Sequence, residues 1–162
     1  MRIEERFTVE GLSDVLVNYT KSFIDPPRGF NNSAFIMLHS ASGSDMGVHC
    51  IDEIYKKLKE SGNPVSLIEV KLGSFSVSDL MRVIEPLNRD PDVINILCLE
   101  GIETAEIPIK SRIYDMAYSR ISKTVLERSD IPGNCIVFLP IWEEFMDSIS
   151  NVVKNRMTLF GL

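Results

Sequence analysis

Residues 40–49 read SASGSDMGVH and lie between an apolar run, AFIMLH, and a helix-like one, CIDEIYKKLKES. Small and hydroxylated residues at such a junction suit anion binding. Ser42, Gly43, Ser44 and Gly47 would leave backbone N–H groups at a helix N-terminus facing a phosphate. Asp45 works against this. It places a negative charge at the same spot, which suits the helix dipole and opposes an anionic ligand. The competing reading is a Ser/Asp-capped turn with no ligand.

Other residues carry chemistry of their own. Glu100, Glu103, Glu143 and Glu144, with His39, are of the types that bind a divalent metal. Their spacing follows no metal motif, and Glu143 and Glu144 also suit a helix's first turn by dipole alone. His39 and His49 have no recognisable triad partners. Ser42 and Ser74 lack the G-x-S-x-G elbow. Cys50, Cys98 and Cys135 are widely spaced and odd in number, which reads as small buried hydrophobes rather than disulfides or a zinc site. Arg112, Arg120, Lys123 and Arg128 fall on one long helix. Arg112 and Lys123 lie opposite its apolar stripe, as a solvated face or a partner-binding one.

The elements that must position these residues alternate. A helix starting near Ser13 or Asp14 carries Leu12, Val15, Leu16, Tyr19 and Phe23 at helical spacing. DPPRGFNNS (25–33) reads as a linker. Strand-like runs then follow at AFIMLH, VSLIEVK, DVINILCLEG and CIVFLPI. Helix patterns follow with stripes Ile51–Ile54–Tyr55–Leu58, Val77–Leu80–Met81–Ile84 and Ile113–Ala117–Ile121–Val125. Ser76 and Asp79 look like a capping box. Pro140 is placed near the start of a last helix with Trp142, Phe145, Ile149 and Val152 on one face. The strands are apolar without alternation, as in a sheet covered on both sides. The expected fold is α/β, a mostly parallel sheet of four to five strands flanked by helices. It forms one domain: an N-terminal helical segment (1–24), the linker (25–33) and a βα core (34–162). In such sheets ligands bind beyond the C-terminal strand ends. The loops there are SASGSDMG, LGSFS, EGIETAE and PIWEE.

Bulk properties narrow the function classes. The chain has 162 residues and a net charge of −6. That length buries a real core, and the charge opposes indiscriminate nucleic-acid binding, which draws on neutralised phosphates. The start, MRIEERFTVEGL, has no apolar signal-peptide core, and no run reaches the length of a membrane span. The expectation is a cytoplasmic protein without direct nucleic-acid contacts.

The order of elements resembles the P-loop core of AAA+ ATPases. There the first strand enters a G-x-x-x-x-G-K-[ST] loop and the third ends in two acidic residues. Aligned on the last glycine, Ser42 takes the first glycine position and Gly47 the second. Val48 then stands for the lysine that reaches the β- and γ-phosphates, and His49 for the hydroxyl that binds magnesium. In ILCLEG, Glu100 takes the first acidic place and Gly101 the second, with Glu103 displaced. The loop keeps the shape of a phosphate loop without its chemistry.

A second resemblance covers residues 94–162. The run INILCLEGIETAEIPIKSRIYDMAYSRI, then CIVFLPIWEEF and MTLFGL, is similar to the B component of BREX phage-defence systems. Gly101, Arg112, Val137 to Pro140 and Leu159 to Gly161 occupy that family's motif places. The family commonly continues into a tyrosine-rich end, where this sequence reads LFGL. The resemblance implies a non-catalytic accessory subunit with a phosphatase-like PglZ-type partner, inside a DNA-modifying, phage-restricting assembly.

The expected function is thus a catalytically silent P-loop-like adaptor without a cofactor. Arg112, Lys123, Leu159 and Phe160 are its candidate contacts, and the apolar tail NRMTLFGL docks beside the fourth strand. The alternatives are a small nucleotide- or anion-binding enzyme with an atypical loop and a metal-dependent hydrolase using the carboxylates.

Overall fold

The structure, a computed structural model, describes residues 6–22, 34–88, 90, 92–119, 134–155 and 157–162. The linker 25–33, Phe23 and Lys123 lie outside the described residues, as do Arg120, Ile121, Val125 and Arg128 of the long-helix pattern.

The elements run α1 (Val9–Lys21), β1 (Ala34–Ser40), α2 (Met46–Glu60), β2 (Val65–Lys71), α3 (Val77–Ile84), β3 (Ile94–Glu100), α4 (Ile107–Ser119), β4 (Cys135–Trp142), α5 (Glu143–Met146), α6 (Asn151–Lys154) and β5 (Thr158–Gly161). The five strands form one parallel sheet in the order β2-β3-β4-β1-β5. All strand C-termini therefore point to one end of the sheet, and the loop after β1 sits there beside the ends of β3 and β4.

Alternate residues of each strand feed two apolar layers. Phe35, Met37, Leu97, Leu99, Val137 and Leu139 face α3 and α4. Ile36, Leu38, Ile96, Cys98, Ile136 and Phe138 face α1 and α2. Leu97, Leu99, Val137 and Leu139 are wholly buried, as their apolar runs predict. Truncating one to alanine costs about 2–5 kcal/mol through lost transfer energy and a cavity. The edge strand β2 is less covered: Glu69 and Lys71 are exposed, so the expectation of full cover on every strand fails at that edge.

Helix ends match local chemistry at some places and not at others. Ser76 and Asp79 do form the capping box of α3, with the Asp79 N–H donating to Ser76 Oγ at 3.2 Å and the Ser76 N–H to Asp79 at 2.9 Å. The start of α1 is earlier than expected. Thr8 is its cap and accepts from the Gly11 N–H at 3.0 Å. The buried face carries Leu12, Ser13, Leu16, Val17 and Thr20. Val15 is left exposed. Ser13 is buried because Lys57 of α2 donates to its hydroxyl at 2.7 Å and to Asp14 at 2.8 Å, fastening α1 to α2.

The last quarter differs most from the sequence expectation. Pro140 lies inside β4, paired with Leu38 of β1, not at a helix start. A proline has no N–H for a ladder, but the β3–β4 pairing ends at Cys98↔Phe138, so Pro140 stands past it. The expected last helix is two single turns, α5 and α6. Trp142 ends β4 and is 38% exposed. The side chain of Val152 lies outside the description.

The tail docks against β1, not β4. Residues 158–161 form β5, with Met37↔Leu159 and Leu38↔Phe160 in register. Leu159 packs on one apolar layer and Phe160 on the other, where its ring meets Phe7 edge-on at 5.9 Å. Met157 and Leu162 are buried. The tail is a strand of the sheet, and its removal strips an edge rather than leaving the sheet whole.

Candidate functional site

Ser40 ends β1 and Met46 starts α2, leaving five residues to turn the chain. Gly43 makes the turn with φ of +78°, a left-handed conformation that a side chain disfavours. The Ser44 N–H closes the turn on the Ala41 carbonyl at 3.0 Å, and the Met46 N–H donates to Ser44 Oγ at 3.2 Å. Gly47 serves packing. It is buried, and a Cβ there would lie 2.8 Å from Cβ of Pro140. Helix α2 must approach β4 this closely for the loop to sit over the strand ends.

The loop is held down from β4. The Trp142 indole N–H donates to the Ser44 carbonyl at 3.2 Å, and Ser42 Oγ donates to the Glu144 carboxylate. Neither contact has a local sequence signal. The hint available was that PIWEE is a C-terminal strand-end loop and holds the chain's single tryptophan.

A cleft of about 250 Å³ lies under this loop, lined by Ser44, Asp45, Gly47, Val48, Glu100, Glu103 and Trp142 among others. A second of about 380 Å³ continues from it past Trp142 and is lined by Glu103, Glu144 and Phe145. Among the described residues, the charged side chains on the two walls are Asp45, Glu100, Glu103 and Glu144, with no lysine, arginine or histidine. Burial pushes the Glu103 carboxyl above its ordinary range, opposed by a backbone hydrogen bond and Lys110 and aided by the charge of Glu100.

The motif positions can now be placed. Val48 lines the cleft where an amine would have to reach a terminal phosphate. His49, at the hydroxyl position, pairs with Asp45 at 3.0 Å on the exposed face of α2. Glu100 ends β3, and Gly101 follows with φ of +80°. At the two motif positions the amine and the hydroxyl are thus replaced by Val48 and His49, and the charged residues described in the cleft lining are acidic.

The other sequence-derived candidates divide. Glu100 and Glu103 line the cleft, while Glu143 pairs with Arg6 and lies 3.5 Å from His39, and Glu144 accepts from Ser42. The Arg6 guanidinium beside Glu143 holds its carboxyl below the usual range, against its partial desolvation. Among the described residues no three His, Cys, Asp or Glu side chains come together as a metal site. The three cysteines are buried and form no disulfide, and burial pushes the Cys50 thiol up to about 12. Arg112 is half-buried rather than solvated, with Nη2 3.7 Å from Met81 Sδ on α3. No helix among the described residues is long and apolar enough to cross a membrane.

The sequence matches no protein-family model and no curated protein. The fold does have solved counterparts. PCH-2 of C. elegans superposes with a TM-score of 0.60 at 10% identity, over 94% of this chain and 42% of that one. The ORC2 protein of Aeropyrum pernix, solved in ADPNP–ADP complexes, gives 0.56 at 12% identity, over 100% of this chain and 49% of that one. This chain thus spans less than half the length of either. Both are AAA+ ATPases, and the five-stranded parallel sheet with its flanking helices is the P-loop fold of that class.

Proposed function

We propose that this chain is a P-loop-fold subunit that has exchanged nucleotide turnover for a structural role, as an adaptor in a multiprotein assembly. One observation carries the reading. Among the described residues, the charged groups lining the clefts at the C-terminal end of the sheet are all carboxylates, and Val48 takes the motif place of the phosphate-binding amine. Phosphate transfer in this fold works by cancelling negative charge with an amine and a metal. A wall of Asp45, Glu100, Glu103 and Glu144 adds negative charge instead. The loop is also occupied from inside, by Trp142 and Glu144.

A narrower form follows from the resemblance of residues 94–162 to the BREX B component: the partner is a PglZ-type subunit and the setting phage defence. The motif residues behind it are Gly101 just after β3, Arg112 in α4, and stretches of β4 and β5. Folding alone explains apolar residues there, so this form rests on the sequence likeness and not on a site.

Titration calorimetry with magnesium-ATP tests the proposal. The expected result is no saturable heat up to about 1 mM, equivalent to a binding free energy weaker than about −4 kcal/mol. Micromolar binding with phosphate release would replace the adaptor by the atypical-loop enzyme. Co-purification with a PglZ-type protein tests the narrower form separately.

A further inference from the structure

Four separate parts of the chain meet at one point beside the loop. Arg6 Nη1 pairs with Glu143 Oε1 and donates to the Leu162 carbonyl at 2.9 Å. His39 Nδ1 lies 3.5 Å from the same Glu143 oxygen. The His39 ring fills the space where a Cβ on Gly161 would be, 2.8 Å from its Cε1. The Phe7 N–H donates to the Gly161 carbonyl at 2.9 Å, and the Leu162 N–H to the His39 carbonyl at 2.9 Å. The N-terminal segment, the end of β1, the start of α5 and the end of β5 are thereby clasped together.

Glu143 stands between the two residues that hold the loop. Trp142 donates to Ser44 and Glu144 accepts from Ser42. Neighbouring Cα atoms are about 3.8 Å apart, so a backbone shift at Glu143 carries both loop contacts with it. His39 stands two residues before the loop on its other side. The clasp therefore grips both limbs that lead to the loop. We propose that it is a latch: the Arg6–Glu143 pair sets whether Trp142 and Glu144 keep the loop 41–45 shut over the cleft. The proposal is independent of what the cleft binds, and a nucleotide titration leaves it unchanged.

The latch is of a strength that can open. The Arg6 and Glu143 side chains are 49% and 34% exposed, so solvent and salt screen their attraction. The loop contacts beyond it are two single hydrogen bonds, both exposed. Opening would uncover the Trp142 face that lines both clefts.

Trp142 is the only tryptophan, so its fluorescence reports the loop directly. The experiment is acrylamide quenching of the full chain as wild type, Arg6→Met, Glu143→Gln and Lys57→Met. The last breaks the α1–α2 ion pairs away from the loop. Arg6→Met and Glu143→Gln are expected to raise the quenching constant by roughly twofold, as local opening exposes the ring. Lys57→Met is expected to leave it unchanged. For wild type, about 1 M salt should reproduce the rise, because screening then acts within about 3 Å. This arm requires no variant to fold. Unchanged quenching in wild type at high salt, together with unchanged quenching in whichever clasp variants fold, would overturn the latch. An equal rise in Lys57→Met would overturn it too, because the effect would then be general loosening.

Discussion

The two helices α2 and α3 both begin at the C-terminal end of a strand, and their N-termini are sealed in opposite ways. α3 is sealed by its own residues, through the reciprocal Ser76–Asp79 box. α2 has Asp45 as its cap residue, but the Asp45 side chain makes no capping bond and turns to His49. Its loop is kept in shape by Ser44, and then from a distance by Pro140, Trp142 and Glu144. A helix start that binds phosphate leaves its N–H groups to the ligand. Here the contacts from β4 and α5 go to the Ser44 carbonyl and the Ser42 hydroxyl. The difference is that α3's start is closed by its own residues, whereas the loop before α2 takes its support from β4 and α5.

The largest effect expected is at the distant support. Gly47→Val should cost about 1–3 kcal/mol in urea unfolding, because its side chain would overlap Pro140 and force α2 off β4. A cost near zero would mean that α2 and β4 are not apposed as described. Next comes the local seal. Ser76→Ala should cost about 1 kcal/mol, the usual value of an N-cap, and should speed amide exchange in the first turn of α3 alone. Ser44→Ala should cost less, because its single bond to Met46 is one of several supports. If Ser44→Ala proves the costlier change, the loop is locally capped after all and the contrast fails.

The smallest effects are in pH dependence, and they have opposite signs. Backbone and side-chain hydrogen bonds from Ser76 hold the Asp79 carboxyl below its ordinary 3.8. Its contribution is complete above that value and is lost as pH falls through the lowered folded value. Asp79→Asn should therefore lower stability at neutral pH and make no difference well below pH 3.8. Beside α2, Asp52 pushes the Glu69 carboxyl up from 4.5 to about 7, with help from partial burial. The folded state then holds a proton more tightly than the unfolded one, so stability falls as pH rises from 4.5 towards about 7. Asp52→Asn should flatten that slope, measured by thermal melts across the interval. Both groups are well exposed, so each change is small.

What was legible in the sequence follows the same division. Strand positions and the α3 box were readable because apolar runs and Ser-x-x-Asp act over a few residues. The buried place of Ser13 on α1 was not, because Lys57 of another helix, 44 residues away, bonds its hydroxyl. Pro140 was misplaced because proline usually marks an edge or a helix start, and only the early end of the β3–β4 pairing admits it to β4. At the candidate site, the loop and its missing amine were readable residue by residue. The Trp142–Ser44 and Ser42–Glu144 bonds and the Arg6–Glu143 pair span about a hundred residues or more, and no local pattern announces them. The tail's apolar residues were recognised, but only the register with β1 shows that Leu159 and Phe160 serve the two layers of this chain's own core.

The most direct measurement of the central claim is Trp142 emission during a titration with magnesium-ATP. Trp142 lines the cleft and closes the loop, so any nucleotide seated there must meet it or move it. The account predicts an unchanged spectrum up to about 1 mM nucleotide, the limit set by a binding free energy of about −4 kcal/mol. A saturable shift or quench at micromolar ATP would contradict it, and would make the loop a working phosphate site despite Val48 and the four carboxylates.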